Sequence, residues 1–357
     1  MAEVSVSVSC LGCETKPLLM TRWGREARLR QCLCGIRYLI TYFCVIFVSS
    51  FASAQEPVRP RSQADNPFVI SVHVNMVVLH ATVLDHKNVL VSGLDKQNFQ
   101  IFEDGVPQQI KYFRHEDIPV TVGLVIDNSG SMAPKRSDVI AAALAFARSS
   151  NPKDQIFVVN FNDKVSFALP EKTPFTDNVA QLEVALSTVA AIGQTALYDA
   201  VDVALNHLSK GDRDKKVLII VSDGGDNASK HKLESILAMA KRSDAIIYSI
   251  GIYDEQDDDR NPGVLRRFAE ETGGAIFLPE SLKDVVPICE RIAKDIRNQY
   301  TLAYVPSNKS QDGKYRIVQV KAEAPGRGRL SVRTRLGYFA PSSFPAPAAS
   351  GISHELH

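Results

Sequence analysis

The sequence predicts an α/β fold with a mostly parallel sheet, inserted in or flanked by a small β-sandwich built from N- and C-terminal strands. Three observations point to it. Apolar, β-branched runs at 120–126, 156–161, 217–222, 245–252 and 275–278 alternate with helically spaced apolar patterns at 137–148, 179–189, 197–208, 233–241 and 264–271; such alternation implies parallel strands with helices on both faces. The near-continuous Val and Ile of 217–221 indicates a strand covered on both sides. Strand patterns without intervening helices recur before residue 117 and after residue 298. Two or three strands rarely stand alone, so the two flanks are expected to pair with each other.

The chain has 357 residues, of which 45% are apolar and 23% charged, an ordinary globular composition with room for one large and one small core. Residues 1–54 differ from the rest. Arg22, Arg25, Arg28, Arg30 and Arg37 precede an apolar stretch, 38–51, that ends in Ala52-Ser53-Ala54. A basic region, an apolar region and a small-residue cleavage site make a secretory signal peptide, so the protein is expected to be exported to a periplasm, a cell envelope or the medium. The apolar run is interrupted by Thr41, Ser49 and Ser50 and falls short of the roughly 20 residues of a membrane span. Membrane contact is therefore expected only if the segment is retained. Met20 is an alternative start.

Removing the leader moves the formal charge from +1 to −2, since six basic residues leave with three acidic ones. Phosphate backbones reward clustered Lys and Arg, and beyond pairs such as Lys215-Lys216 none occur, so nucleic acid is not an expected partner. Cys10, Cys13, Cys32, Cys34 and Cys44 all lie in the leader, leaving Cys289 without an intramolecular disulfide partner. Cys10-x-x-Cys13 could be read as a zinc pair, but a targeting segment offers no supporting fold. Cys289 sits in a helical pattern over 284–298, with Val285, Ile288, Ile292 and Ile296, as a core thiol.

Residues 55–66, with Pro57 and Pro60, read as a flexible linker. An N-terminal strand segment follows over 67–116: alternation over 68–84, a strand at 99–102, a turn at Glu103-Asp104-Gly105-Val106-Pro107, and a hairpin return over 109–113. The α/β domain occupies 117–298, with Gly273 as the C-cap of the 264–271 helix. A C-terminal strand segment covers 299–340, with strands at 300–305, 315–322 and 330–334 separated by Asp312-Gly313 and Pro325-Gly326. Residues 341–357, rich in Pro, Ala and Ser, read as a disordered tail.

The chemistry concentrates at strand ends. Asp127, Ser129 and Ser131 lie in the run Asp127-Asn128-Ser129-Gly130-Ser131 just after the 120–126 strand, Asp223 follows the 217–222 strand, and Thr195 precedes a helix. Open α/β sheets bind ligands at the C-terminal ends of their strands. Two carboxylates and three hydroxyls suit a hard divalent cation such as Mg²⁺, with Mn²⁺ or Ca²⁺ as alternatives, and leave a coordination position open. Taken singly, either aspartate could merely cap a helix and each hydroxyl could serve a turn. Their joint occurrence in order beside Gly130, Gly193, Gly224 and Gly225 favours a shared metal site.

These residues carry a family resemblance. The Asp-Asn-Ser-Gly-Ser run, the segment Gly193-Gln194-Thr195-Ala196-Leu197-Tyr198-Asp199 and Ser222-Asp223-Gly224-Gly225-Asp226 resemble the three parts of the metal-ion-dependent adhesion site of von Willebrand factor type A (VWFA) domains, over roughly 119–298. The flanks, with Phe102-Glu103-Asp104-Gly105, Tyr300-x-x-x-Tyr304 and Arg335-x-Gly337-Tyr338, resemble bacterial VWFA-related proteins of the Acidobacteria type. The resemblance implies a Rossmann-like sheet with the ion on its upper rim. It further implies that Asp127, Ser129, Ser131, Thr195 and Asp223 are metal ligands and that a protein partner completes the shell with an Asp or Glu side chain. The expected function is adhesion or binding rather than catalysis.

Other features are weaker. The acidic run Asp254 to Asp259 could bind a second cation or be a solvated loop, and His73, His80, His86, His115, His207 and His231 lack metal-ligand spacing. Neither Gly-x-Ser-x-Gly nor a Walker loop occurs. The alternative class is a metal-dependent hydrolase of phosphate or ester substrates, with Asp127 as nucleophile or Asp223 as water activator. It needs a further acid or base, for which Asp226, Asp199 or the acidic run are the nearby choices. A third reading has the site only stabilise the fold.

Overall fold

The computed structural model describes residues 75–253 and 260–342. The expected leader, linker and first strand residues, the acidic run 254–259 and the tail from residue 343 lie outside the described residues. No helix among the described residues is long and apolar enough to cross a membrane.

The central sheet contains β5 (Val120–Asp127), β6 (Gln155–Phe161), β7 (Val165–Phe167), β8 (Lys215–Ser222), β9 (Ala245–Gly251) and β10 (Ile276–Phe277) in the order β10-β9-β8-β5-β6-β7. All neighbours are parallel except β6 and β7. The helices are α1 (Arg136–Ser149), α2 (Val179–Ser187), α3 (Leu197–Leu208), α4 (Leu233–Arg242), α5 (Pro262–Thr272) and α6 (Val285–Arg297). Alternate strand residues divide between two cores. Val122, Leu124, Ile126, Val217, Ile219 and Val221 pack with α1 and α6, whereas Val125, Leu218 and Ile220 pack with α3, α4 and α5. Every residue of β5 is buried, as expected of a strand sandwiched between helix layers. At the end of α5, Gly273 takes φ 83° and caps the helix as predicted.

The flanking strands form two four-stranded antiparallel sheets. Here β1 (Val77–Leu84), β2 (Phe99–Glu103), β3 (Val106–Gln108) and β4 (Ile110–Arg114) meet β11 (Tyr300–Tyr304), β12 (Tyr315–Ala322), β13 (Ser331–Arg333) and β14 (Gly337–Phe339) in the orders β13-β1-β11-β4 and β14-β12-β2-β3. Leu79, Ala81 and Leu302 from one sheet share a core with Ile101, Val318 and Val320 from the other. The predicted pairing of the two ends of the chain is thus realised, with β1 on β11 and β2 on β12.

Two local expectations change. The hairpin turn is tighter than 103–107, because Asp104 and Gly105 both take positive φ (48° and 81°) and the return strand begins at Val106. The 109–113 segment is not that return. It crosses to the other sheet as β4 and pairs with β11, while β3 pairs with β2. A two-residue turn with positive φ at both positions matches the strand twist and lets the chain reverse at once.

The sandwich core also holds a polar knot made from residues of the flanking motifs. Glu103, 2% exposed, accepts from the hydroxyls of Tyr304 at 2.7 Å and Tyr338 at 2.8 Å and from Arg316 Nη1 at 3.3 Å. The buried carboxylate thereby ties β2 to β11, β12 and β14.

Candidate metal centre

Strand β5 delivers Asp127 to the C-terminal rim of the sheet, and its parallel neighbour β8 delivers Ser222 and then Asp223. The two strands are in register up to Ile126 against Val221, so Asp127 and Ser222 arrive at the same height. Ser222 Oγ donates to Asp127 Oδ2 at 2.6 Å, and the Ser129 N–H donates to Asp127 Oδ1 at 2.8 Å. After Ser129 the chain turns through a 3₁₀ segment, Gly130–Lys135, into α1. That turn brings the Ser131 hydroxyl round to Asp223, to which it donates at Oδ2 over 2.6 Å. The Ser129 and Ser131 hydroxyl oxygens lie 3.1 Å apart, and the Gly225 N–H donates to Asp223 Oδ1 at 3.1 Å.

Thr195 comes from the loop before α3. The Gly130 N–H donates to the Gly193 carbonyl at 3.1 Å and the Ile192 N–H to the Asn128 carbonyl at 2.9 Å, so this loop is stitched to the Asp127 loop. On its other flank the Thr195 N–H donates to Asn227 Oδ1, and the Thr195 carbonyl accepts from the N–H groups of Asn227 and Ala228. Four of the five sequence-predicted residues, Asp127, Ser129, Thr195 and Asp223, are buried, and Ser131 is partly so. Ser129, Ser131 and Asp223 form one hydrogen-bonded chain, Asp127 reaches it through the Ser129 backbone, and Thr195 is set beside it by backbone bonds.

The electrostatics favour a cation. Burial first, and the charge of Asp223 second, push the Asp127 carboxyl up to about 6. Among the described residues neither aspartate has an ion-pair partner. Arg136 is near in sequence, but its guanidinium bonds Asn128 Oδ1 and the Leu186 carbonyl instead. Two buried carboxylates without a counter-charge are costly, and a divalent ion held by them and the hydroxyls removes that cost. The donor set is all oxygen, which fits Mg²⁺ or another hard cation. No group of three or more His, Cys, Asp or Glu with metal-holding placement occurs among the described residues, so hydroxyls would have to supply the remaining protein ligands.

Several positioning residues were not singled out by the sequence. Ser222 reads there as the last residue of a strand, yet its hydroxyl holds Asp127. Asn128 orients the run from below: its amide donates to the Ile126 carbonyl and to Asn160 Oδ1 at 3.0 Å. The Asp-x-Ser spacing could have flagged Asn128 only as a spacer. Two of the acids near the rim, Asp226 and Asp199, are engaged elsewhere. Asp226 Oδ1 accepts from the Ser229 hydroxyl and the Tyr198 N–H, and Asp199 Oδ1 accepts from the Lys230 and His231 N–H groups and bonds the His231 ring at 2.7 Å. Elsewhere His80 bonds Thr301, His115 stacks on Tyr300 and His207 bonds the Pro174 carbonyl.

Residues 122–225 match the family model described as the von Willebrand factor type A domain. No curated protein sequence matches the chain. Among solved structures, similar ones include a von Willebrand factor type A protein from Catenulispora acidiphila, at 14% identity over 74% of this chain and 73% of that one, with TM-score 0.46. The vWF domain of the type V pili tip protein Mfa5 from Porphyromonas gingivalis matches at 15% identity over 50% of this chain and 95% of its own, with TM-score 0.43. Proximal thread matrix protein 1 from the mussel byssus, in a form described as having a zinc-occupied MIDAS motif, matches at 18% identity over 56% of this chain and 50% of its own, with TM-score 0.45. The matched segment runs from Val122, the third residue of β5, through Gly225 and so contains all five candidate ligands within a sheet of the expected topology. Over residues 122–225 this chain is thus similar to the von Willebrand factor type A domain.

Proposed function

We propose that the protein is an exported binding or adhesion module in which Asp127, Ser129, Ser131, Thr195 and Asp223 hold a divalent cation, Mg²⁺ or else Mn²⁺ or Ca²⁺, whose open position takes an Asp or Glu side chain of a protein partner. The observation that carries the proposal is the buried oxygen chain at the sheet rim: Ser129 Oγ to Ser131 Oγ to Asp223 Oδ2, at 3.1 and 2.6 Å, beside an Asp127 that has no counter-charge among the described residues. The bound ion would supply a fixed positive charge, against which a carboxylate makes a short, strong contact. The protein's part is to orient the oxygens. Ser222 and the Ser129 N–H hold Asp127, the Gly225 N–H holds Asp223, and Asn227 holds the Thr195 backbone. The leader sequence supports export.

Hydrolysis requires a base beside the ion. The acids closest in sequence, Asp199 and Asp226, are instead committed to loop hydrogen bonds, which favours the binding reading. Calorimetric titration with Mn²⁺ and Mg²⁺ tests the proposal, with Asp127→Ala as control. Uptake of one ion by the wild type and none by the variant is expected, together with chelator-sensitive retention of a partner from envelope extract. Absence of divalent binding by the wild type would sink the reading. Metal-dependent turnover of generic phosphate or ester substrates, lost in Asp127→Ala, would replace it with the hydrolase.

A further inference from the structure

The surface around the candidate ion site is not uniform. On one side stands Ile192, 67% exposed although β-branched and apolar. Its backbone is anchored at both ends, since its N–H donates to the Asn128 carbonyl at 2.9 Å and its carbonyl accepts from Asn162 Nδ2 at 2.9 Å. The next residue, Gly193, bonds Gly130 inside the Asp127 loop. Ile192 is therefore a fixed apolar post one residue from the ion-holding loop, next to the exposed Ala190. Solvent-facing aliphatic side chains are common singly; one locked in place beside a charged site is a ready contact for a ligand.

The opposite side is basic. Residues 227–232 wrap the other flank of the Thr195 loop, fastened by the Asn227 and Ala228 N–H groups to the Thr195 carbonyl and by the Lys230 and His231 N–H groups to Asp199. This fastening leaves the Lys230 and Lys232 side chains exposed. Among the described residues neither has an ion-pair partner, whereas His231 is paired with Asp199. The Thr195 loop thus has an exposed aliphatic residue, with the Asp163 carboxylate close by at Gly193, on the flank bonded to the Asp127 loop, and two exposed lysines in the segment bonded to its other flank.

We infer that the partner is an acidic peptide segment in which the metal-directed carboxylate has an aliphatic side chain on one side, seated on Ile192, and a second acidic side chain on the other, seated between Lys230 and Lys232. The inference rests on the metal-centre reading above and adds the partner's local chemistry. Charge complementarity with the two lysines and continuity with the ion site select this occupant over a neutral or basic one. Neither Ile192 nor the lysines belong to the ligand set, so changing them leaves ion binding intact.

The test uses fluorescein-labelled, glycine-flanked peptides with the cores Ile-Asp-Glu, Glu-Asp-Ile, Ile-Asp-Gly, Gly-Asp-Glu and Gly-Asp-Gly, measured by anisotropy against the exported chain in saturating Mg²⁺. Ion uptake is measured separately by calorimetry. The better-oriented complete core is expected to outbind its aliphatic-free counterpart about tenfold, in line with partial burial of one aliphatic side chain. Ile192→Ser should erase that preference. The second acid should add about threefold at low salt, and this gain should vanish in Lys230→Glu/Lys232→Glu and at high ionic strength. Both variants should bind Mg²⁺ as the wild type does. Equal affinity for all five peptides, preferences that survive the substitutions, or no peptide binding by a protein that does take up Mg²⁺ would each overturn the inference while leaving the metal centre standing. A wild type that takes up no Mg²⁺ would overturn both.

Discussion

Replacing Asp223 by Asn should change the sign of its effect on stability when the metal is added. Asp223 raises the Asp127 carboxyl, which stands at about 6 against an ordinary 3.8. A shift of that size corresponds to about 3 kcal/mol held against the ionised form at neutral pH. Burial is the larger cause, so the share relieved by removing the Asp223 charge is on the order of 1 kcal/mol. The hydrogen bonds can largely be kept. An Asn side-chain oxygen can accept from the Gly225 N–H, and its amide can donate to the Ser131 hydroxyl, reversing the present direction. In chelator, Asp223→Asn is therefore expected to be more stable than the wild type by about 1 kcal/mol. With metal at a hundred times its dissociation constant the wild type gains about 2.7 kcal/mol and a variant that cannot hold the ion gains nothing, so the order reverses. Urea denaturation in EDTA and in excess Mg²⁺ measures both arms. A wild type indifferent to Mg²⁺, or a variant that is the less stable form even in EDTA, would refute the reasoning: the two carboxylates would then be ordinary structural acids.

Three further outcomes are expected. Ser222→Ala removes the hydroxyl that donates to Asp127 at 2.6 Å without touching the ligand set, and should weaken Mn²⁺ affinity about tenfold by calorimetry. Far from the rim, Asp154 accepts from the N–H groups of Val120 at 2.8 Å and Asn151 at 3.1 Å, and burial pushes its carboxyl from 3.8 up to about 6. Because the folded-state value is the higher one, its stabilising contribution is full below pH 3.8 and is lost as pH rises through about 6. Asp154→Asn should flatten that part of the stability curve, by up to about 3 kcal/mol between the ends of the window, as read from urea midpoints across pH. Glu103→Ala leaves Arg316, 3% exposed, and two tyrosine hydroxyls without their shared acceptor, and should lower the unfolding free energy by about 3 kcal/mol or more in the same assay.

Legibility in the sequence followed periodicity and covalent spacing. The α3 pattern over 197–208 and the β12 pattern over 315–322 reappear with the same bounds, because each has enough residues for its period to be unmistakable. The three-residue strands β7 and β14 leave no trace in the sequence pattern, since so short a run has no period. The hairpin return is illegible for a related reason: 106–108 and 110–114 read as one ribbon, and only the pairing partners separate them between two sheets. At the candidate site, Asp127, Ser129 and Ser131 stood out because they are close in sequence and follow a buried strand. Asp223 and Thr195 needed the inference that separate strand ends share a rim, which the β5–β8 register bears out for Asp223.

The sequence by itself determined the α/β alternation, the pairing of the chain's two ends and the choice of oxygen-bearing residues at strand termini, because local spacing and hydrophobic pattern encode these directly. Only the tertiary structure decided that Ser222 holds Asp127, that Asp199 and Asp226 are used up in loop bonds, and that Ile192 and the two lysines stand on opposite flanks of the Thr195 loop. Each of these depends on which groups meet across 28 to 95 positions of chain, and a hydroxyl or carboxylate has the same sequence signature whether its partner is a backbone amide, another side chain or an ion.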